Sequence, residues 1–137
     1  MPLVALTCSL AQELQKKYVE AKSMARQAES TKKTREKEKN RSELTQQELE
    51  PLGNETRMYR AVGKAFVLSE KGTLMQQLSE SIEEAKKDAS KYGSQAECMH
   101  KQANEHEQAI RELLSSNKAL QREVAAAQQV QQTRQPA

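Results

Sequence analysis

The side chains that could perform chemistry in this chain are few and far apart. Its 137 residues include two cysteines, Cys8 and Cys98, and two histidines, His100 and His106. A structural zinc site needs about four such ligands, and these two histidines lie on different faces of a helix. His106 falls at a core position of the helical repeat described below. It is interpreted as a metal ligand or as a tolerated core histidine, and the lack of a second ligand at a suitable spacing favours the latter.

Catalysis is not expected from this sequence. It contains no glycine-rich phosphate loop, no cluster of Cys and His residues, and no nucleophile beside a plausible base. Tyr59 and Glu55 could form a catalytic pair, but the composition of their segment is that of a scaffold. Two cysteines in a chain rich in Lys and Glu are interpreted as reduced thiols, which favours the cytoplasm as the location. We therefore predict a protein that is not an enzyme and uses no cofactor and no metal.

Composition indicates long, exposed helices rather than a thick core. Aromatic residues make up 3% of the chain, charged residues 30%, and there is no Trp, whereas Gln, Glu, Lys and Ala are abundant. The net charge of +3 is too small to indicate nucleic-acid binding by itself. No stretch approaches the ~20 apolar residues that cross a bilayer, and the apolar residues 1–6 are too short for the core of a signal peptide.

The first segment predicts a helix over residues 10–42, preceded by an apolar tail at residues 1–9. Ser9 and Gln12 have the spacing of a capping box, which favours a start near Leu10. Apolar or small residues recur at steps of three and four, which is coiled-coil spacing. These positions, called the apolar stripe of this helix, are Val4, Thr7, Ala11, Leu14, Tyr18, Ala21, Ala25 and Ala28.

The stripe then fails in a basic run at residues 32–41, where Lys32 and Arg35 occupy the next expected positions. The run is interpreted as a nucleic-acid surface or nuclear import signal, or as a solvated helix face. Interspersed glutamates and the lack of aromatic side chains for base stacking favour the solvated face.

Two further helices are predicted. Thr45 and Glu48 have capping-box spacing, which predicts a short helix over residues 45–52 that Pro51 and Gly53 end. A third capping box at Thr73 predicts a long helix over residues 73–127, followed by a disordered tail at residues 128–137. Its apolar stripe is Met75, Leu78, Ile82, Ala85, Ala89, Tyr92, Ala96, Met99, Ala103, His106, Ile110, Leu113, Asn117, Leu120, Val124 and Ala127. Asn117 could set register or partner number, or could lie where no partner helix reaches.

Residues 56–69 predict a β-hairpin between the helices. The segment is rich in β-branched and aromatic residues, and Gly63 in its middle tolerates the positive φ that a tight reversal needs. A loop of two residues at Val62-Gly63 would pair Tyr59 with Phe66. A lone hairpin is marginally stable in water and has two open edges, so we expect hairpins from other chains to complete a barrel.

These elements predict one unit over residues 1–137, a mostly α protein with a long antiparallel two-helix coiled coil and a β-hairpin at its bend. The first helix would span roughly 48 Å and the last roughly 82 Å at 1.5 Å per residue. The last helix would therefore outrun the first and leave an apolar end, called the tip. An uncovered apolar end favours interaction, although fraying of the last turns or fold-back of Leu3 and Leu6 would also explain it.

The segment from Glu55 to Leu68, E-T-R-M-Y-R-A-V-G-K-A-F-V-L, resembles the hairpin motif of β-class prefoldin subunits. The resemblance extends over roughly residues 10–120, and the spacing of Tyr59, Val62-Gly63 and Phe66 between two heptad helices is its most specific part. It implies a heterohexamer of two α-class and four β-class subunits, with hairpins joined in a double β-barrel hub and six coiled coils projecting from it. It also implies capture of unfolded nascent proteins, chiefly actin and tubulin, and their transfer to the cytosolic group II chaperonin without ATP.

If the resemblance holds, two sets of residues are predicted to have functional roles. The hub residues, for assembly, are Met58, Tyr59, Val62, Gly63, Phe66, Val67 and Leu68. The tip residues, for binding clients, are Leu3, Val4, Leu6, Leu10, Leu113, Leu114, Leu120 and Val124. The expected partners are other prefoldin subunits, unfolded clients and the chaperonin, with no membrane and with nucleic acid disfavoured. The alternative is a coiled-coil adaptor in a prefoldin-like complex of the nucleus or of transcription, and the basic run supports it.

Overall fold

The computed structural model describes the backbone of residues 2–134 and the side chains of residues 5–118 and 121–133. The chain order is helix α1 (Pro2–Leu49), strand β1 (Met58–Val62), strand β2 (Ala65–Ser69), helix α2 (Lys71–Ser116) and helix α3 (Lys118–Arg134). The predicted class, a mostly α chain with two long helices and one antiparallel hairpin, is confirmed.

Helix α1 is longer at both ends than predicted. It begins at Pro2 rather than near Leu10, because proline is accommodated in a first turn, where its missing N–H has no partner to lose. The separate helix predicted over residues 45–52 does not exist. The Thr45 hydroxyl donates to the Arg41 carbonyl at 2.8 Å, so Thr45 bonds back into the same helix instead of capping a new one. Pro51 prevents further extension.

The prediction of one helix over residues 73–127 is also wrong at both ends. Helix α2 begins at Lys71, and the Leu74 amide donates to the Glu70 carbonyl at 3.1 Å, which makes Glu70 the N-cap. The helix ends at Ser116, and a separate helix α3 follows after one residue. Residues 128–134, predicted to be disordered, are the last two turns of α3. The remainder of that predicted tail lies outside the described residues.

The hairpin turns at Gly63-Lys64. Gly63 has a φ of 61° and is the one residue with positive φ in the described part of the chain. Positive φ at the first central residue alone is the pattern of a type II′ turn, whose twist matches that of the two strands.

The strand register differs by two residues from the predicted pairing of Tyr59 with Phe66. Tyr59 lies opposite Leu68, and Ala61 lies opposite Phe66, because the turn is centred one residue later than predicted. Side chains alternate between faces with a period of two, so this shift leaves every side chain on its predicted face.

The described residues form two compact units. The hairpin unit consists of residues 27–95, and the terminal unit consists of the described residues up to Arg26 together with those from Ala96 onward. Buried apolar residues of the hairpin unit are Ala28, Met58, Ile82, Ala85 and Ala89, and those of the terminal unit are Ala21, Ala25, Ala96 and Ala103. Alanine predominates in both sets, and such small side chains let helix axes approach toward the short end of the usual 8–10 Å range.

Where the stripe of α1 fails, long charged side chains take its place. The aliphatic stem of Lys32 passes over Gly93, with its carbons 3.6 Å from the position that a Cβ would occupy. The Arg35 guanidinium lies 2.9 Å from Glu38 on α1 and 3.4 Å from Asp88 on α2. The hydrogen bond and charge of Glu38 raise the pKa of Arg35. Lysine and arginine thus cover apolar surface with their stems and keep their charges in water.

Candidate interaction surfaces

One side of the hairpin is apolar and uncovered. Tyr59, Ala61, Phe66 and Leu68 lie on this side, which is called the hairpin face. Phe66 is 75% exposed, Leu68 62% and Tyr59 57%. Large side chains on a sheet contribute stability only when a second layer covers them. Nothing in the described chain provides that layer.

The opposite side of the hairpin lies on the chain's own helix. Met58 is 6% exposed, and the Arg60 guanidinium donates to the Gln77 side-chain oxygen on α2 at 3.0 Å. Val62 and Val67, on the same side but nearer the turn, remain 49% and 46% exposed. The predicted hub residues therefore divide into two groups: Met58 is packed within its own unit, and the others are accessible.

Two side-chain links fix the base of the hairpin. The Lys71 ammonium donates to the carbonyls of Glu50 at 2.9 Å and Leu52 at 2.5 Å, so a cation meets the carbonyls that follow the end of α1. Beside it, the Gln46 amide donates to the Ser79 hydroxyl at 2.7 Å. The two helices that flank the hairpin are therefore tied together at its base, and the apolar face of the hairpin is left uncovered.

The sheet of the described chain has only two strands. Each strand leaves one row of backbone N–H and C=O groups without a ladder partner, and such edges pair readily with other strands. The hairpin thus offers two kinds of surface to another chain, an apolar face and open edges.

The tip residues lie in the terminal unit, in different environments. Leu6 and Leu10 on α1 are 68% and 48% exposed. Leu113 and Leu114 on α2 and Val124 on α3 are half-buried. The side chains of Leu3, Val4 and Leu120 lie outside the described residues.

An apolar groove runs between the three helices of the terminal unit. It has a volume of about 650 Å³. Its walls are Cys8, Ala11, Gln12 and Gln15 from α1, Ile110 and Leu114 from α2, and Glu123, Val124, Ala127 and Gln128 from α3. This arrangement is called the terminal groove. Sequence reasoning missed it, because it depends on where α3 runs.

Helix α3 runs back along α1 and α2. The Asn117 amide donates to the Thr7 hydroxyl at 3.3 Å, which fixes the start of α3 near the first turns of α1. A straight continuation of α2 would carry Gln128 more than about 15 Å beyond that level. Instead, Gln128 and Gln15 line the same groove. The predicted overrun of the last helix is therefore wrong, because α1 begins earlier and the chain reverses at Asn117.

Asn117 is the N-cap of α3. Its carbonyl accepts a hydrogen bond from the Gln121 amide at 3.2 Å, the first bond of the new helix. The Gln121 side chain donates to the Leu114 carbonyl at 2.6 Å, which satisfies one of the last carbonyls of α2. The interpretation that no partner helix reaches Asn117 is wrong, because Thr7 of α1 does; a role in setting register or partner number stays a prediction. The sequence Ser115-Ser116-Asn117 could have indicated the break, since these residues favour caps and turns over helix interiors.

Half of the basic side chains in the run, those of Lys32, Arg35 and Lys39, form ion pairs. Lys32 pairs with Glu36 at 3.9 Å, Lys39 pairs with Glu43 at 3.8 Å, and Arg35 has the two partners described above. Lys33, Lys37 and Arg41 are exposed, and no ion pair of theirs is found in the described chain. Most of the run is the solvated helix face that the interspersed glutamates favoured.

Residues suited to chemistry do not gather anywhere in the described part of the chain. Residues 2–134 hold no group of three or more His, Cys, Asp or Glu side chains placed to bind a metal ion. Cys8 is half-buried in the terminal groove and Cys98 is exposed, and both are free thiols. No described helix is long and apolar enough to pass through a membrane.

Comparisons with known proteins agree with the hairpin motif. The family described as "Prefoldin subunit" matches residues 12–117. Prefoldin subunit 1 of Arabidopsis thaliana is 30% identical over 118 residues, which cover 86% of this chain and 88% of the relative. Prefoldin subunit 1 of Mus musculus is 29% identical over 107 residues, covering 78% of this chain and 88% of the relative. A probable prefoldin subunit 1 of Dictyostelium discoideum is 32% identical over 71 residues, covering 52% and 62%.

Proposed function

This chain belongs to the prefoldin family, and from that premise we propose that it is one subunit of a hexameric chaperone that holds unfolded proteins without ATP. Members of this family are chaperone components rather than enzymes. The proposed clients are nascent proteins of the actin and tubulin class, which the complex passes to the cytosolic group II chaperonin. The proposed location is the cytoplasm, with the nucleus as a second location.

The observation that carries the proposal is the exposure of the hairpin face. Tyr59, Phe66 and Leu68 would contribute roughly 1.5–3 kcal/mol each if fully buried. In an isolated chain these side chains stay in contact with water, so that free energy is not gained. The uncovered face and the open strand edges then favour aggregation. Closing hairpins from several subunits into a barrel buries the apolar faces and pairs the edges. Other prefoldin subunits are therefore the proposed partners at this surface.

Client capture is proposed for the terminal unit. Leu6 and Leu10 are exposed, and Leu113 and Leu114 are half-buried, so each can gain further burial against an apolar client segment. Partial burial of single side chains gives weak contacts. Weak contacts from several subunits combine through effective concentration. The complex can then hold a client firmly and still release it without ATP.

The proposal is tested by reconstituting the complex from its subunits with and without this chain. Purified actin is unfolded in denaturant and diluted into each preparation, and its aggregation is followed by light scattering. The complete complex is expected to suppress aggregation near equimolar ratio, and the preparation lacking this chain is expected to suppress it poorly. Native actin is the matched control, since its apolar segments are buried and it should not bind. Failure of the complete complex to suppress aggregation would contradict the proposal.

The alternative function is that of an adaptor in a prefoldin-like complex of the nucleus. The observation favouring it is the exposure of Lys33, Lys37 and Arg41, which leaves positive charge available to an acidic partner. The two functions are separated by purifying tagged chain from cytosolic and nuclear fractions and identifying the bound proteins by mass. The chaperone proposal requires prefoldin subunits and chaperonin in the cytosolic fraction.

A further inference from the structure

Helix α3 lies outside the part of the chain that matches the family, since the match ends at residue 117 and α3 begins at Lys118. It nevertheless lines the terminal groove beside Leu114, a residue to which client binding is assigned above. Val124 and Ala127 of α3 line the terminal groove together with Ile110 and Leu114 of α2. The helix therefore occupies surface that a client would need.

The packing of α3 on the rest of the terminal unit is loose. Val124 is half-buried, whereas the other side chains described from residue 121 to residue 133 are exposed. About 650 Å³ remains open between α3 and its neighbours, so apolar atoms on the two sides forgo much of their dispersion contact. The described side chains of α3 form no ion pair with α1 or α2. Elements held by few buried contacts are the ones that open under native conditions.

The junction at Asn117 allows α3 to move without unfolding. A single non-helical residue separates α2 from α3, and Asn117 caps α3 from within its own segment. The first hydrogen bond of α3 is therefore independent of the groove. Rotation at this residue would disturb the bonds from Asn117 to Thr7 and from Gln121 to Leu114, and both of those groups can bond to water instead.

We propose that α3 is an autoinhibitory flap over the client-binding surface of this subunit, a proposal that rests on the proposed function. In the closed state, which is the arrangement in the structure, Val124 and Ala127 form one wall of the groove that Ile110 and Leu114 also line, and α3 thereby limits access to it. In the open state, α3 swings away at Asn117 and an apolar segment of an unfolded chain takes its place. Client and flap compete for the same side chains, so a client must contact them more extensively than α3 does.

The first arm of the test locks the flap. Cys8 and Ala127 both line the groove, so Cys98→Ser with Ala127→Cys leaves two thiols in one groove that a short bis-maleimide is expected to join. The matched control is Cys98→Ser with Gln131→Cys, whose new thiol lies on α3 but outside the groove lining. Both variants are placed in the hexamer with cysteine-free sister subunits. Efficient cross-linking to Cys8 is expected for Ala127→Cys alone, and the locked complex should need at least three times more protein to suppress aggregation of unfolded actin.

The second arm removes the flap. Ending the chain after Asn117 deletes α3 and retains Leu113 and Leu114. The shortened chain, assembled in the hexamer, should bind about two to five times more of the apolar dye anilinonaphthalene sulfonate and suppress aggregation at lower concentration. Val124→Asp in the full chain should shift both readouts in the same direction, because a carboxylate disfavours the apolar side of the groove.

The possible outcomes distinguish a failure of the flap proposal from a failure of the proposed function. Locking that leaves suppression unchanged, or removal of α3 that lowers suppression or dye binding, would overturn the flap, and α3 would then be a wall of the binding site. Poor cross-linking at Ala127→Cys would overturn the closed state itself. A wild-type complex that does not suppress aggregation, with the cross-linking and dye results as expected, would remove the proposed function and leave the closed flap standing.

Discussion

The hairpin face and the terminal groove are both apolar, but their side chains are presented differently. The hairpin face displays Phe66 at 75% exposure on a strand held by a hydrogen-bonded ladder. The groove displays Leu114 and Val124, which are half-buried between loosely packed helices. The first surface is preformed and has no cover within the described chain, whereas the second is partly covered by α3.

This difference in exposure suits the hairpin face to permanent contact and the terminal groove to reversible contact. Exposed aromatic and aliphatic side chains on a strand held by a hydrogen-bonded ladder gain most of their burial from the partner. Half-buried side chains gain less additional burial from a ligand, and the ligand must also displace α3, which partly covers them. We infer that assembly at the hairpin is tight and that capture at the groove is weak and adjustable. Four changes test this comparison.

The largest effect is expected from Phe66→Asp. Burying an unpaired carboxylate in an apolar barrel is strongly unfavourable, so the variant should not enter the hexamer, and co-purification with tagged sister subunits should be lost. The matched control is Lys64→Asp, which places the same carboxylate in the exposed turn and should assemble normally. A Phe66→Asp chain that co-purifies at wild-type yield would show that the hairpin face is not the assembly surface.

A smaller effect is expected from ending the chain after Ile110. This deletion removes Leu113, Leu114 and α3 but leaves the hairpin unit complete. The hexamer should form in normal yield, and suppression of actin aggregation should fall by about five-fold. The shorter deletion after Asn117 is the control and should not reduce suppression. Equal suppression by the Ile110 truncation and the full chain would remove the terminal unit from client binding.

The stability of the terminal unit is tested by Ala103→Leu. Ala103 is 0% exposed, and enlarging a side chain in a close-packed interior costs about 1–3 kcal/mol. We expect a lower melting temperature, measured by circular dichroism on the hexamer, with no loss of assembly. Ala125→Leu, on an exposed position of α3, should leave the melting temperature unchanged. An unchanged value for Ala103→Leu would indicate that the interior of this unit is as loose as its groove.

The smallest effect is expected from Gly63→Ala in the turn. An added methyl group meets nothing within 4 Å at Gly63 or at Gly72, and the two positions differ in that Gly63 has positive φ. A residue with a Cβ in that conformation costs about 1–2 kcal/mol. The melting temperature of the Gly63→Ala hexamer should fall, and that of Gly72→Ala should stay level or rise. Equal melting temperatures for the two variants would mean that an added Cβ causes no strain at the positive φ of Gly63.

Much of the fold followed from the sequence because its main pattern is repetitive. Every alanine found buried had been placed on an apolar stripe by its spacing of three and four residues. The hairpin was located because Gly63 lies in the single stretch with β-branched and aromatic residues. Patterns of this kind are local or periodic, so the structure that they predict does not depend on contacts between distant segments.

What the sequence did not predict depends on contacts between segments. Thr45 and Glu48 fit a capping box, but whether Thr45 caps or bonds back depends on the conformation that the helix gives it. Asn117 fits the heptad spacing, so the periodicity concealed the reversal there. Strand alternation identified the two sides of the hairpin but not which one lies on α2, so the burial of Met58 within its own unit was not foreseen.

The alanine stripe leaves the alignment of the two helices underdetermined. A slip of seven residues along α2 would put Ala96 where Ala103 lies, exchanging one small side chain for an identical one. At that position, packing alone would tolerate the slip. The bonds of Lys71 to Glu50 and Leu52 join the start of α2 to the residues that follow α1. These bonds therefore hold one alignment of α1 and α2 within the hairpin unit, and a longer connection there should yield a mixture of offset states.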